Sequence, residues 1–405
     1  MISNLVVQKF GGTSLANIER IQAVADLIEQ SVQDGKEVVA VVSAMAGETQ
    51  RLIDLAKEVQ SEPDPREYDA LISSGEQVSV ALLAMALKEK NFLSKSYTAF
   101  QLGLKTDQIH GKARINSIDT SMLQEDLKKG VVPVITGFQG INESGDITTL
   151  GRGGSDTSAV ALAVALKAHE CQIYTDVDGV YTTDPRVYDR AKKIDKLSFE
   201  EMLELSSLGA KVLQIRSVEF ASKFNMPVRV LSSFNKGEGT LIDKEDENLE
   251  NALISGVTHT RNDSKLIIRQ VPDLPGIAAK ILSPVSNEGI EVDVIVQNVA
   301  EDKTTDFTFT VKDEDAEKAA KILKELSDEL GGGNVELAKE ISKVSVVGVG
   351  MKSHAGVATK MFTALADKNI NIDMISTSEI KISVVVSREN AEEAVKALHD
   401  AFDLG

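Results

Sequence analysis

The second half of this chain repeats itself, and that constrains the fold more than any other feature. Gly276-Ile-Ala-Ala-Lys-Ile-Leu282 matches Gly356-Val-Ala-Thr-Lys-Met-Phe362. At the same offset, Gly289-Ile-Glu-Val-Asp-Val-Ile295 matches Asn369-Ile-Asn-Ile-Asp-Met-Ile375. Two copies of one pattern fold as two copies of one unit. Each copy reads strand, helix, strand, strand, helix. The apolar periodicity predicts strands over 266–271, 291–299 and 306–311, then over 344–348, 371–377 and 381–386. That order is the ferredoxin-like split βαβ. The first copy has a candidate closing strand at 334–338. The second reaches Gly405 without one, and 252–258 is the stretch left to supply it. The expected arrangement is therefore a first copy (263–340) inserted within a second (252–262 with 341–405).

Residues 1–235 read differently. Buried-type apolar runs at 5–10, 38–42, 131–136, 172–175 and 227–231 alternate with helical patterns at 17–33, 78–87 and 155–168. This predicts an α/β domain around a mostly parallel sheet with helices on both faces. The stretch 227–231 is expected to be its last strand. Residues 232–251 turn polar, and 236–251 reads as a linker.

Charge narrows the function classes. The formal net charge is -18, with 62 acidic and 44 basic residues. Nucleic-acid binding is disfavoured, because phosphate neutralisation needs a basic face. An anionic ligand must instead be drawn in by a local positive site. The single cysteine, Cys171, excludes an internal disulfide framework and a cysteine-rich metal site. The N-terminus lacks a signal design and no run approaches ~18 apolar residues. The expectation is a cytoplasmic protein without a membrane span.

Three motifs carry chemistry. In Lys9-Phe-Gly-Gly-Thr-Ser14 a lysine ends a strand, and glycines then let backbone N–H groups approach a phosphate before a helix begins. The same letters also serve an ordinary strand–turn–helix junction. In Thr149-Leu-Gly-Arg-Gly-Gly-Ser-Asp-Thr157, Arg152 offers a planar fork for a carboxylate. Gly153 and Gly154 let the backbone close on a ligand, Ser155 can donate to it, and Asp156 can hold a lysine by ion pairing. The alternative is a capped helix start with Ser155 or Asp156 as N-cap. In Tyr174-Thr-Asp-Val-Asp-Gly-Val-Tyr-Thr-Thr-Asp-Pro-Arg186 a polar loop follows a strand's C-terminal end, where open α/β sheets bind ligands. Asp176, Asp178 and Asp184 do not complete a calcium loop. A nucleotide contact by Tyr181 and Arg186 is more economical, and a plain polar turn remains open. Ser43 at a strand end, Glu76 opening an apolar helix and Gly209-Ala-Lys211 are weaker signals. His110, His169, His259, His354 and His399 have neither triad context nor metal-ligand spacing.

Taken together, these motifs in this order, followed by two ACT-type repeats, resemble the aspartate kinases of the amino acid kinase family. The resemblance covers nearly the whole chain and is closest to the monofunctional type. It implies phosphorylation of the aspartate β-carboxylate by ATP, with Mg2+ bridging the phosphates and feedback control through the repeats. It implies ATP contacts at Lys9, Phe10, Gly11, Gly12, Ser43, Thr175, Asp176, Tyr181, Thr182, Asp184, Arg186 and Lys211. Ser43, Thr49, Glu76, Arg152, Gly153, Gly154 and Ser155 would shape the aspartate pocket, with Lys9, Arg152 and Asp156 as the catalytic set. The repeats would sense lysine, threonine or both, through Asp273, Gly276, Glu291, Val292, Asp293 and Gln297 in the first and Val357, Ala358, Asn371, Ile372, Ser378 and Glu379 in the second. No protein metal ligand is assigned. The open sheet edge a single such repeat leaves predicts that the repeats pair between chains into a homodimer, with a tetramer or, by the resemblance, a shorter regulatory subunit as further forms.

Overall fold

Alternation explains how the first sheet is covered. In Leu5–Phe10 (β1) and Glu37–Val42 (β2) the apolar residues are all buried and lie on both faces, so both faces of each strand need a layer. Val6, Phe10, Val38, Ala40 and Val42 pack against the apolar stripes of Ile18–Gln33 (α1) and Ser74–Glu89 (α4). The other side is covered by Gly154–Leu166 (α6), a nearly fully buried helix that packs on β1 and β2. Each fully buried Val, Ile or Leu contributes ~1.5–3 kcal/mol. The remaining helices of this part are Glu48–Val59 (α2), Pro65–Ile72 (α3), Ser121–Lys128 (α5), Phe199–Ser207 (α7) and Ile215–Phe224 (α8). Asn17 caps α1, its Oδ1 accepting from the Arg20 N–H at 2.9 Å.

The computed structural model describes residues 4–208, 212–245, 254–299, 304–330 and 333–405. These divide into two units, Met1–Tyr181 with Lys193–Leu249, and Thr182–Lys192 with Glu250–Gly405.

In the first unit the further strands are Ser94–Tyr97 (β3), Lys105–Thr106 (β4), Ile115–Ser117 (β5), Val132–Thr136 (β6), Gln139–Ile141 (β7), Ile147–Thr149 (β8), Glu170–Thr175 (β9), Lys196–Ser198 (β10), Val228–Ser232 (β11) and Thr240–Asp243 (β12). Among the described residues, six of these join β1 and β2 in one eight-stranded sheet of order β10-β12-β11-β9-β1-β2-β6-β3, parallel except for the β11–β12 pair. A smaller sheet runs β5-β4-β7-β8. Strand β12 corrects the reading of 236–251 as linker and of 227–231 as the last strand. It is short and follows a tight turn, so it lacks a strand-like apolar run. At Gly239 φ is +67°, and an added Cβ would stand 1.9 Å from the Val230 carbonyl oxygen, so only glycine allows this close return. Pro65–Glu89 is long and apolar enough to cross a membrane by length and composition, with half of that window buried. It is two helices meeting at Ser73, and it holds the buried acids Asp69 and Glu76.

The second unit is one sheet of six strands among the described residues: Gly256–Pro272 (β13), Val292–Val299 (β14), Thr304–Lys312 (β15), Val335–Val347 (β16), Met374–Thr377 (β17) and Lys381–Ser387 (β18). The order is β14-β15-β13-β16-β18-β17. The repeat is visible in the pairing. The two long strands run through both copies, and 256–260 pairs with 343–347 while 263–268 pairs with 335–341. The closing strand of the second copy thus comes from upstream of the first; residues 252 and 253 of that expectation lie outside the described residues. Each copy has its own core, one around Leu266, Ile281, Phe309 and Leu323, the other around Val344, Met361, Val384 and Leu398. The helices are Ile277–Asn287 (α9) and Ala316–Glu329 (α10), then Val357–Asp367 (α11) and Ala391–Ala401 (α12).

Residues 182–192 also depart from the expected 1–235 boundary. The Thr182 carbonyl accepts from the Val257 N–H at 2.7 Å, and its hydroxyl lies 2.9 Å from His399 Nε2. Tyr188 donates to Asp400 at 2.6 Å, and Val187 packs against the second copy's core. Sequence order alone did not foresee a loop that packs with residues far downstream.

Candidate active site

The site is assembled at the C-terminal ends of the parallel strands. β1 delivers Lys9 and Phe10, and the chain then turns through Gly11 and Gly12. An added Cβ on Gly12 would stand 3.0 Å from the Ala44 carbonyl oxygen, so the turn sits directly against the residues that follow β2. Gly11 N–H donates to the Tyr174 carbonyl at 3.3 Å, and the Phe10 and Tyr174 rings stack at 4.8 Å. The helix expected after the glycines is first a 3-10 turn, Gly12–Leu15, with α1 starting at Ile18. Ser14 donates to Ser233 at 2.7 Å, which fixes the turn beside the end of β9.

Lys9 Nζ lies 2.6 Å from Asp156 Oδ1, with only about a tenth of either side chain exposed. The pair joins β1 to the first turn of α6. The cap of α6 is Gly153 at φ +70°, not Ser155 or Asp156, because the chain enters the helix through a left-handed residue. That leaves both side chains inside the first turn, where Asp156 also meets the helix dipole favourably. Gly153 has a second constraint, since an added Cβ would collide with Gln214 at 1.7 Å. Ser155 is buried, and its Cβ lies 2.7 Å from the position a Cβ on Gly137 would take. Arg152 is exposed at the tip of the loop.

Glu76 is the most unusual group here. It is only 3% exposed, its Oε1 accepts from the Ala44 N–H at 3.1 Å, and its Oε2 is buried with no hydrogen-bond partner. Burial pushes its carboxyl up to about 7, against the lowering effect of the Ala44 N–H. A buried carboxylate oxygen with no donor costs free energy until a cation or donor arrives. Ser43, whose N–H donates to the Phe10 carbonyl at 3.1 Å, and Thr49 on α2 are half-buried nearby in the chain.

On the other side of β1, Thr175 donates to Asp176 at 3.0 Å and Tyr181 donates to Asp178 at 2.8 Å. Thr240 on β12 accepts from the Val180 N–H at 2.8 Å and so pins this loop. Thr182, Asp184 and Arg186 belong to the second unit, where Arg186 grips Asp184 through Nε (3.0 Å) and Nη2 (2.8 Å) and holds its carboxyl below the usual range. Lys211 lies outside the described residues. Among the described residues, no group of three or more His, Cys, Asp or Glu is placed to hold a metal.

In the second unit the two turns carrying Gly276 (φ +90°) and Gly356 (φ +95°) are alike, each the cap of its helix. Asp273, Glu291, Asp293, Gln297, Asn371, Ser378 and Glu379 are exposed, Val292, Ala358 and Ile372 are half-buried, and Val357 is buried. Asp293 is ion-paired with Lys343, and Asp373 with Lys265 at 3.0 Å, so each copy's acid meets the other copy's lysine. A cavity of about 350 Å³ lies between the copies, lined by Lys265, Asn298, Ile372 and Asp373 among others. Of the expected effector residues it holds Ile372.

Sequence reasoning missed Asp69 and Arg216, which tie the Arg152 loop to the fold. Nothing local marks either; only the folded chain brings their partners together.

The chain matches the amino acid kinase family over residues 4–232 and the ACT domain twice, over 266–331 and 344–402. An aspartate kinase of Pseudomonas putida is 59% identical over 401 residues, spanning 99% of this chain and 98% of its own length. The crystal structure of E. coli aspartokinase III in complex with aspartate and ADP, an R-state, superposes with a TM-score of 0.81 at 28% identity, covering 98% of this chain and 99% of that one. The same enzyme with lysine and aspartate, a T-state, gives 0.80 at 28% identity, covering 99% and 100%.

Proposed function

The chain belongs to the aspartate kinases of the amino acid kinase family, and on that footing we propose which of its residues carry the reaction. The reaction moves the γ-phosphoryl group of ATP to the β-carboxylate of L-aspartate, giving 4-phospho-L-aspartate, the first step toward lysine, threonine and methionine. The acceptor carboxylate, with an ordinary pKa of ~3.9, is already ionised at neutral pH and needs no general base. What it needs is alignment and relief of anion–anion repulsion.

Lys9 supplies that relief at the transferring phosphoryl group, with Asp156 fixing its ammonium. The Phe10, Gly11 and Gly12 backbone approaches the phosphates, joined by Ser43. Thr175, Asp176, Tyr181, Thr182, Asp184, Arg186 and Lys211 hold the rest of ATP. No protein ligand for a metal is assigned, and Mg2+ carried with ATP would supply further charge neutralisation beside Lys9. Glu76 meets the aspartate ammonium, Arg152 a carboxylate, and Ser43, Thr49, Gly153, Gly154 and Ser155 close the pocket. The observation that carries this reading is the Lys9–Asp156 pair beside the glycine turn, with the partnerless Glu76 oxygen on the same strand-end edge.

The ACT pair senses lysine, threonine or both, and pairs between chains into a homodimer, with a tetramer or a shorter regulatory subunit as further assemblies. Lysine in the T-state E. coli enzyme supports the effector class. The setting is cytoplasmic. The test is ADP release, coupled to NADH oxidation, with aspartate and a panel of other acids, run with lysine and threonine separately and together. ADP release with aspartate, suppressed by either effector, supports the reading. ADP release with another acid and none with aspartate sinks it.

A further inference from the structure

We infer that Asp69 is a positioning residue that sets the spacing between the two charged groups gripping aspartate. The inference rests on the proposed roles of Glu76 and Arg152. Asp69 lies on α3, and its side chain is fully buried. Its Oδ1 accepts from the Thr149 hydroxyl at 2.6 Å. Its Oδ2 accepts from the Thr149 N–H and the Gly111 N–H, each at 2.9 Å, and lies 2.9 Å from His110 Nδ1. A buried carboxylate that collects this many partners from two separate segments is a junction, and losing one partner leaves another buried polar group unsatisfied.

The two segments are the ones that carry the Arg152 loop. The Ala113 N–H donates to the Thr149 carbonyl at 2.9 Å, so 111–113 lies along the approach to that loop. Arg216 clamps the same pair from α8, donating to the Leu150 carbonyl at 2.5 Å and the Ala113 carbonyl at 2.9 Å. At Gly151, φ is +78° and an added Cβ would stand 2.9 Å from the Gly111 carbonyl oxygen. Arg152 follows immediately. In the other direction, α3 runs through Ser73 into α4, whose first turn carries Glu76. Asp69 therefore bolts the element that presents Glu76 to the loop that presents Arg152. The distance between an ammonium acceptor and a carboxylate clamp is what tells aspartate from an acid one methylene longer.

The experiment measures aspartate and ATP KM, and the aspartate-to-glutamate ratio of kcat/KM, for Asp69→Asn, Thr149→Val, Thr149→Ser and Arg152→Lys in the full chain. Asn keeps the volume of Asp69 but must turn an NH2 toward a donor. Val keeps the shape of Thr149 and loses only the hydroxyl. Asp69→Asn should raise aspartate KM by ~10–100-fold, as small misplacements do, and lower the discrimination, with ATP KM within ~2-fold. Thr149→Val should shift both in the same direction and Thr149→Ser should restore them. If Asp69→Asn does not fold, the Val and Ser pair decides. A native aspartate KM in Asp69→Asn and Thr149→Val, with a raised one in Arg152→Lys, overturns the positioning role and leaves the pocket assignment standing. A native aspartate KM in Arg152→Lys overturns the pocket assignment, and this inference with it. Equal rises in both substrates' KM overturn it too, because they mark general damage to the fold.

Discussion

Replacing Glu76 with glutamine tests the substrate pocket from two directions at once. The wild-type carboxyl is pushed up to about 7 by burial, against an ordinary value of 4.5. That difference is worth roughly 3 kcal/mol between its two protonation states. The folded protein therefore holds this proton over a pH range where the unfolded chain has released it. As pH rises from 4.5 through about 7, stability falls, and above that range the bare carboxylate costs up to roughly 3 kcal/mol. Glu76→Gln removes the cost, so it should raise the unfolding temperature at pH 8 and leave it near wild type at pH 4.5. Catalysis moves the opposite way. An ammonium held by the ionised form must compete with the proton, so wild-type kcat/KM for aspartate should fall ~10-fold per pH unit below about 7. The variant should lose that limb of the profile. It should also lose a charge-assisted hydrogen bond of ~1.5–3 kcal/mol, raising aspartate KM by ~10–150-fold. The assays are initial rates between pH 5.5 and 8.5 in the ~25–150 mM salt range where local charge is not swamped, with thermal unfolding alongside. A variant with the wild-type aspartate KM and the same acid limb would show that Glu76 does not meet the ammonium.

Lys9→Ala should cut kcat by ~10²–10³-fold with the fold intact, the usual loss for one electrostatic donor at a transition state; near-native kcat in a folded variant would remove Lys9 from the phosphates. Arg152→Lys should raise aspartate KM and leave ATP KM unchanged, because lysine keeps the charge but not the planar fork, and steady-state kinetics with each substrate varied would read it. Cutting the chain after Leu249 should abolish inhibition by lysine and threonine. The same cut should raise ATP KM, since Thr182 loses its Val257 and His399 partners. Retained inhibition in the folded truncation would defeat the separation of catalysis from sensing.

The parts legible in the sequence are those specified by local pattern. The strand at 5–10 and the helix at 17–33 were readable from their apolar runs and period; in the structure the helix begins at Ile18, with Asn17 as its cap. The repeat disclosed the second unit, down to the upstream strand that closes the second copy, because two copies of one core demand two sets of strands. What stayed hidden is short or non-local. Strands of two to four residues such as β4, β5 and β12 bury too little for a periodic signal. The letters showed that Asp156 could hold a lysine, and the fold supplies Lys9; Asp69 could not be singled out, because its partners at 110, 111 and 149 are gathered only by folding. The partnerless Oε2 of Glu76 is likewise a property of packing, not of the letters around it.

The path of the chain between Tyr181 and Lys193 bears on how a sensor can govern a kinase. Those two residues bridge each other within the first unit, while Thr182–Lys192 belongs to the second. Thr182 is held on three sides, by the Val257 N–H, by His399 and by the Lys192 N–H that donates to its hydroxyl at 3.0 Å. His399 is fully buried on α12, with burial pulling its imidazole below the usual range, and it meets Tyr188 edge-on at 5.0 Å. Its neutral form suits a buried hydrogen bond to a hydroxyl better than a charged one does. The residues proposed to meet ATP thus divide between Tyr181, bridged to Lys193 in the first unit, and Thr182, held by β13 and α12 in the second. If this loop meets ATP as proposed, a change in the ACT core would need no long relay to reach it, because Tyr181 and Thr182 are adjacent in the chain. A coupling of ~1–3 kcal/mol suffices for strong feedback, and that is no more than one or two of Thr182's hydrogen bonds can supply.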